Sequence, residues 1–304
     1  MKNVLVIYYS QSGQLSKMAE SVTASLNESE HVKVDYCPIK PVTAYPYPWQ
    51  FYPFFDAFPE SIYMNGCPVE AIEPQEKEYD LIILAYSVWF LSPAIPITGF
   101  LKTEQAKQLL KGKPVITLIA CRDMWVMAQE KMKLLLVDLQ ATLIDNVVLT
   151  DQGGSLYAFV TTPRWMFTGK KSPFLFFPAA GVSDHAFQDS RRFGDRLLVA
   201  LENDEEKTGK PLLTNMGAVS VDGKLIGSEK VGTRSFMIWG NLIKKSGKPG
   251  SVARKVVITI YVVFLFVLIL TVVPLNILIR RLIYPFTKKS IEESVREYEK
   301  PSGR

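Results

Sequence analysis

The sequence predicts an α/β protein: a doubly wound sheet of five parallel strands in the order 2-1-3-4-5, followed by a C-terminal membrane helix. Three observations predict it. Segments of strand character alternate with segments of helical periodicity over the first two hundred residues. One strand, Asp80-Leu81-Ile82-Ile83-Leu84-Ala85-Tyr86, is continuously apolar, as in sheets covered on both faces. The run Val256–Ile279 carries no charge and reaches the roughly 20 residues needed to cross a bilayer.

The elements follow in order. Val4 to Tyr9 is a buried first strand that runs into Ser10-Gln11-Ser12-Gly13-Gln14-Leu15-Ser16. A helix begins near Gln14, with Leu15, Met18, Ala19, Val22 and Leu26 at helical spacing. His31–Tyr36 is the second strand and Asp80–Tyr86 the third. The second helix is expected around Trp49–Phe58, and a third over Ile95–Leu110. Gly112-Lys113 leads to a fourth strand, Pro114–Ala120. Met124–Leu139 is helical, Ala141–Thr150 is the fifth strand, and Ala186–Leu201 is the last helix of the set.

The boundaries drawn from this reading are a domain over 1–205 with insertions at 38–78 and 152–185, an extension over 206–253, a hydrophobic segment over 254–284 and a polar tail over 285–304. The insertions are rich in aromatics and proline, in PIKPVTAYPYPWQFYPFFDAFPESIYMN and TTPRWMFTGKKSPFLFFPAAG. Long loops in a compact domain are usually functional or disordered, and aromatic content argues against disorder. They read as a lid for an apolar substrate, or as a hydrophobic cover or a homodimer interface.

The net charge of +5 is mild, and Lys and Arg concentrate toward the C-terminal third. That placement points to an anionic membrane surface rather than to nucleic acid. Arg254-Lys255 and Arg280-Arg281 flank the apolar run, which Pro274 and Asn276 interrupt, so spanning and lying in one leaflet both stay open. Cys37, Cys67 and Cys121 have no metal-like spacing and read as reduced thiols of a cytoplasmic protein. Two histidines, His31 and His185, are too few for a histidine metal site, so none is expected. The N-terminus has no basic leader, and no signal peptide is expected.

In a parallel sheet the strand C-termini share one edge, and ligands bind where the strand order reverses, between strands one and three. The loops after Tyr9, Tyr86 and Ala120 are therefore the candidate site. Ser10, Ser12 and Ser16 supply hydroxyls, Gly13 lets the backbone approach closely, and the amides from Gln11 to Leu15 lie at a helix start. Together they can bind a phosphate monoester without lysine, although a capped helix start explains the same residues. The second loop, Ser87-Val88-Trp89-Phe90, offers stacking faces to a flat heteroaromatic ring. The third, Cys121-Arg122-Asp123, adds a guanidinium and a carboxylate, whose plain alternative is a surface ion pair.

These three loops resemble those of the flavodoxin-like flavoproteins over about residues 2–202. The resemblance implies FMN as cofactor. Ser10, Gln11, Ser12, Gly13, Gln14 and Leu15 match the phosphate loop; Ser87, Val88, Trp89 and Phe90 match one wall of the isoalloxazine, and Cys121, Arg122 and Asp123 the other. One departure is Leu15, where that family carries a hydroxyl. The MKNVLVIYYSQSGQL start, the Trp49–Phe58 aromatics, ACRDMWVMAQEK and the C-terminal apolar run resemble the dialkylresorcinol condensing enzymes of aryl-polyene and flexirubin-type pathways. That likeness implies a ketosynthase-like partner enzyme and an aromatising role for this chain, with an alkylated cyclohexanedione as its lipophilic substrate.

Carbon–carbon condensation needs an activated cysteine with histidine or asparagine partners, and neither histidine is near Cys121 in sequence. Oxidation to an aromatic ring is the chemistry a flavin offers. Asp123, His185 and Tyr157 are the candidate bases and Arg122 the candidate enolate stabiliser, each with a structural reading beside it. The expected place is the cytoplasmic face of the inner membrane, among lipid. The alternatives are a membrane-associated NAD(P)H:quinone reductase, a tethered flavodoxin-type electron carrier and a flavin-free scaffold.

Overall fold

The computed structural model describes residues 1–303, and their side chains apart from 155, 156, 273, 274 and 276–282. Five parallel strands form the central sheet: β1 (Lys2–Tyr8), β2 (Val32–Pro38), β3 (Leu81–Tyr86), β4 (Pro114–Cys121) and β5 (Thr142–Thr150). Their order is β2-β1-β3-β4-β5, as predicted. This is the flavodoxin-like doubly wound topology, with its switch point between β1 and β3. Val4 lies opposite Val34 on one side and Leu81 on the other, which fixes the register at the middle of the sheet.

Successive side chains leave opposite faces of a strand, so each strand feeds two cores. Leu5, Ile7, Ile82 and Leu84 point into one. It is closed by α5 (Ile95–Leu101), α6 (Glu104–Leu110) and α7 (Val126–Asp138), through Ile97, Phe100, Leu110, Met132 and Leu136. Val4, Val6, Leu81 and Ile83 point into the other. There α1 (Gln14–Val22), α2 (Ala24–Glu28), α9 (Asp184–Asp189) and α10 (Arg191–Glu202) contribute Leu15, Met18, Leu26, Phe187, Phe193 and Leu197.

Several expected helices are divided. The region expected as one helix over Trp49–Phe58 is two, α3 (Phe51–Asp56) and α4 (Phe58–Ile62), with a proline inside each. Ile95–Leu110 breaks at Lys102-Thr103, where the Thr103 hydroxyl caps α6 by accepting from the Ala106 amide. Within α5, Gly99 is required by close approach: a Cβ there would lie 2.2 Å from the Cys67 carbonyl. The second insertion, read as a loop, contains a helix, α8 (Gly154–Thr168), with Pro163 inside it.

The stretch read as an extension carries α11 (Gly223–Ser246), and the apolar C-terminal run belongs to α12 (Val252–Tyr298). A third core forms where these two meet the first insertion, from Phe55, Phe58, Ile62, Ile243, Ile258, Tyr261 and Val262. Tyr261 stacks on Phe58 at 4.9 Å, with an interplanar angle of 9°. Thus one face of the apolar run packs against the body. Arg254, read as a flanking membrane charge, is also corrected. It is buried, with its guanidinium on Asp56 and, at 2.7 Å, on Glu60. The side chains of Pro274, Asn276, Arg280 and Arg281 lie outside those described.

Candidate functional site

The first loop leaves β1 at Tyr8 and enters α1 at Gln14. Gly13 adopts φ +83°, the left-handed region where glycine carries little penalty, and the space in front of it is open. A glycine in the capping position supplies no side-chain acceptor, so α1 begins without a side-chain cap from it. The Ser10 Oγ accepts from the Ser16 amide at 3.2 Å, while Ser12 and Gly13 are exposed. The amides that Ser10 leaves open at this helix start, with the positive end of the helix behind them, fit a phosphate monoester. Leu15 has only its backbone to offer there, since its side chain is 3% exposed in the core under α1.

Two glutamines of this loop hold the two insertions. Gln11 donates through Nε2 to the Pro46 carbonyl at 2.9 Å and accepts on Oε1 from the Trp49 indole at 3.0 Å. Gln14 accepts on Oε1 from the Val182 amide at 2.7 Å. The insertions also meet each other: the Trp49 amide donates to the Met166 carbonyl at 2.8 Å, and Tyr47 packs edge-on against Trp165. The loop that sequence reasoning assigned to phosphate is therefore roofed from both sides. The Gln11 and Gln14 side chains serve that roof.

The second loop is a two-stranded ribbon, with Val88 opposite Pro93 and Trp89 opposite Ser92. Phe90 and Leu91 both take positive φ, at 49° and 57°, which is the geometry of a tight hairpin turn built without glycine. Trp89 joins an aromatic cluster with Tyr9 at 6.0 Å, Tyr45 at 5.1 Å and Trp49 at 5.4 Å. Phe90, expected as a cofactor wall, instead packs on Phe54 and Phe58 at 4.8 and 5.1 Å. Ser87 and Val88 are half-buried beside it.

The third loop gathers charge. Arg122 lies with its guanidinium 4.2 Å from the Phe159 ring centroid and its Nε 3.7 Å from Asp123 Oδ1. The other Asp123 oxygen is buried and, among the described residues, accepts no hydrogen bond. Burial raises the Cys121 thiol well above its usual range, with Asp123, Glu229 and Asp151 adding to the effect. It stays protonated at neutral pH, which disfavours it as a nucleophile. Trp125, two residues beyond Asp123, is buried in the core.

Sequence reasoning missed two carboxylates here. Asp151 closes β5 and accepts from the Gly153 amide at 2.8 Å and the Gly181 amide at 2.5 Å, tying the second insertion to the edge. Glu229 arrives from α11 and accepts from the Met127 amide at 2.8 Å, at the start of α7. Burial pushes its pKa up to about 7, against the lowering effect of the α7 amides. Nothing in the sequence signals it, because it is a hundred residues distant. Of the remaining candidate bases, Tyr157 on α8 is 42% exposed and packs edge-on against Phe177. His185 is exposed in the first turn of α9. Neither makes a described hydrogen bond to Arg122 or Asp123.

A cavity of about 640 Å³ opens beside the aromatic cluster. Tyr45, Trp49 and Cys67 line it together with Phe51, Tyr52, Gly250 and Lys255, the last from the first turn of α12.

No protein-family profile matches the chain, and no curated protein matches it. Solved structures with a similar fold include a flavoprotein in complex with FMN from Lactobacillus acidophilus NCFM (22% identity, TM-score 0.37, 49% of this chain and 93% of that one). A flavodoxin from the domain Archaea is 14% identical, with TM-score 0.37 over 66% of this chain and 99% of that one. Flavodoxin 1 from Bacillus cereus is 16% identical, with TM-score 0.35 over 65% of this chain and 98% of that one.

Proposed function

We propose that this chain is an FMN-dependent oxidoreductase at the cytoplasmic face of the inner membrane, which oxidises an alkylated cyclohexanedione to a dialkylresorcinol. The observation that carries the reading is that the loops at the ends of β1, β3 and β4 supply a glycine-capped helix start, an aromatic cluster and a carboxylate with one buried oxygen beside a guanidinium. The Ser10–Leu15 loop would hold the flavin phosphate, and the loops at Ser87–Phe90 and Cys121–Asp123 would flank its ring. Bound there, the flavin supplies a hydride acceptor.

The residues do the rest. Removing a ring proton next to a carbonyl calls for a base held dry, and Asp123 meets that need through its buried, unpartnered oxygen. Arg122, beside it, would balance the charge of the enolate. Loss of that proton and of one hydride takes a cyclohexanedione to a resorcinol after tautomerisation. The cavity lined by Trp49, Phe51 and Tyr52 gives an alkyl chain a path from the α12 side toward the aromatic cluster. A raised Cys121 thiol argues against condensation by this chain, leaving that step to a ketosynthase-like partner.

The test is anaerobic mixing of the FMN-loaded protein with an alkylcyclohexanedione. Bleaching of the flavin absorption with formation of a resorcinol is expected. Bleaching by NADPH alone would indicate a quinone reductase, reduction only by another redox protein would indicate an electron carrier, and failure to take up FMN would end the redox reading.

A further inference from the structure

The two ends of α12 lie against the same body. At its start, the Arg254 guanidinium sits on Asp56 and Glu60, the Gly250 amide donates to Asp56 at 2.8 Å, and Tyr261 packs on Trp239 at 5.4 Å. At its close, a Cβ on Gly223 would lie 2.5 Å from Ile291 and 3.0 Å from Val295. There the Val221 amide donates to Glu299 at 3.3 Å, and Lys230 stands 5.3 Å from the Tyr298 ring.

Trp239 of α11 meets Tyr261 and Phe264, seven residues back from the α11 terminus at Ser246, so the two helices start out antiparallel. At the other end Gly223 meets Ile291 and Val295, Val221 meets Glu299 and Lys230 meets Tyr298, so the close of α12 lies across the start of α11. The start of α12 is therefore on the body through Leu265, and its close is on the same body from Ile291.

That geometry sets a depth. Between Phe264 and Ile291 lie 26 residues. Held to the body at both ends, they could reach at most about 20 Å from it at 1.5 Å per residue, even if doubled back at their midpoint. One leaflet offers about 15 Å of hydrocarbon, and a crossing needs about 30 Å. Arg280 and Arg281 fall in the same interval, and charges of that kind are costly at the bilayer centre, which favours a shallow path. The outward face is apolar: Val263, Phe266, Val267 and Leu270 are all more than half exposed. The exposed lysines Lys244, Lys245, Lys288 and Lys289 flank the segment on both sides, matching anionic headgroups.

We infer that the apolar part of α12 is embedded in a single leaflet of an anionic bilayer, with the C-terminal residues on the same side as the flavodoxin-like body. This rests on the membrane part of the proposed function but not on its chemistry. Such an anchor sets Lys255, in the first turn of α12 and in the lining of the cavity, near headgroup level, close to the leaflet in which a lipophilic substrate dissolves.

The experiment adds the full-length chain to preformed vesicles of phosphatidylcholine and phosphatidylglycerol. Two variants, Lys210→Cys on the body and Lys300→Cys at the tail, are then labelled with a membrane-impermeant maleimide. Equal labelling of both without detergent is expected, with less than a twofold rise at position 300 when detergent is added. Protection of position 300 by fivefold or more until detergent is added would overturn the single-leaflet arrangement while leaving the membrane reading standing. Failure to sediment with vesicles, with the chain running as a dimer that a Leu270→Lys change makes monomeric, would instead give the apolar face to a second copy and remove both.

Discussion

The Trp49 indole donates its Nε1–H to the Gln11 side-chain oxygen at 3.0 Å, which joins the first insertion to the loop at the end of β1. The same indole packs on Trp89 at 5.4 Å, so one residue positions both the proposed phosphate loop and the proposed ring wall. Trp49→Phe keeps the ring contact and removes the donor. A lost neutral hydrogen bond of this kind is worth about 1 kcal/mol. The expected result is FMN affinity weakened about fivefold with the fold intact, read by quenching of flavin fluorescence on titration. Unchanged affinity would separate the insertion from cofactor binding.

Asp123 carries the proposed proton transfer. Asp123→Asn preserves the shape and the neighbour of Arg122 but removes the base. General-base catalysis contributes about 10²- to 10⁴-fold, so turnover of an alkylcyclohexanedione should fall within that range. The flavin spectrum of the loaded protein should be retained. A variant with normal turnover would move the role to Tyr157 or His185.

Glu229 makes stability depend on pH. Its carboxyl pKa is raised from 4.5 to about 7 by burial. Between those values the folded chain holds a proton that the unfolded chain has released. Its contribution is fully present below pH 4.5 and is lost as pH rises through 7, about 3 kcal/mol across the window. Glu229→Gln keeps an oxygen for the Met127 amide and cannot ionise. Chemical denaturation from pH 5 to 8 should show a flatter profile for the variant, with the gain greatest at the alkaline end. Parallel profiles would contradict the assignment.

Arg254 fastens α12 to the first insertion. Arg254→Met leaves Asp56 and Glu60 facing each other without a cation. Removing one partner from a buried ion pair costs about 3 kcal/mol. Limited proteolysis should cut between Gly247 and Ser251 earlier in the variant, where the chain joins α11 to α12. Restoring charge with Arg254→Lys should recover only part of the protection, because an ammonium cannot span both carboxylates as a guanidinium does.

The sequence by itself determined the sheet. Leu81–Tyr86 is apolar at every position because both faces are covered, and a run of that kind is legible without coordinates. The alternation of strands and helices set the winding, and the winding placed the three loops on one edge, where the structure has them. Local rules sufficed because strand burial and helix periodicity repeat within a few residues.

What only the tertiary structure decided involves partners far apart in the chain. Gln11 and Gln14 turned out to hold the insertions, Phe90 and Leu15 to face inward, and Glu229 to meet the start of α7, because each depends on a segment tens to hundreds of residues away. The same holds for the C-terminal run. Its hydropathy marks it as apolar, but hydropathy is a sum along the chain and carries no direction. That its two ends return to one body is a property of packing at Asp56 and Gly223, which no count of apolar residues contains.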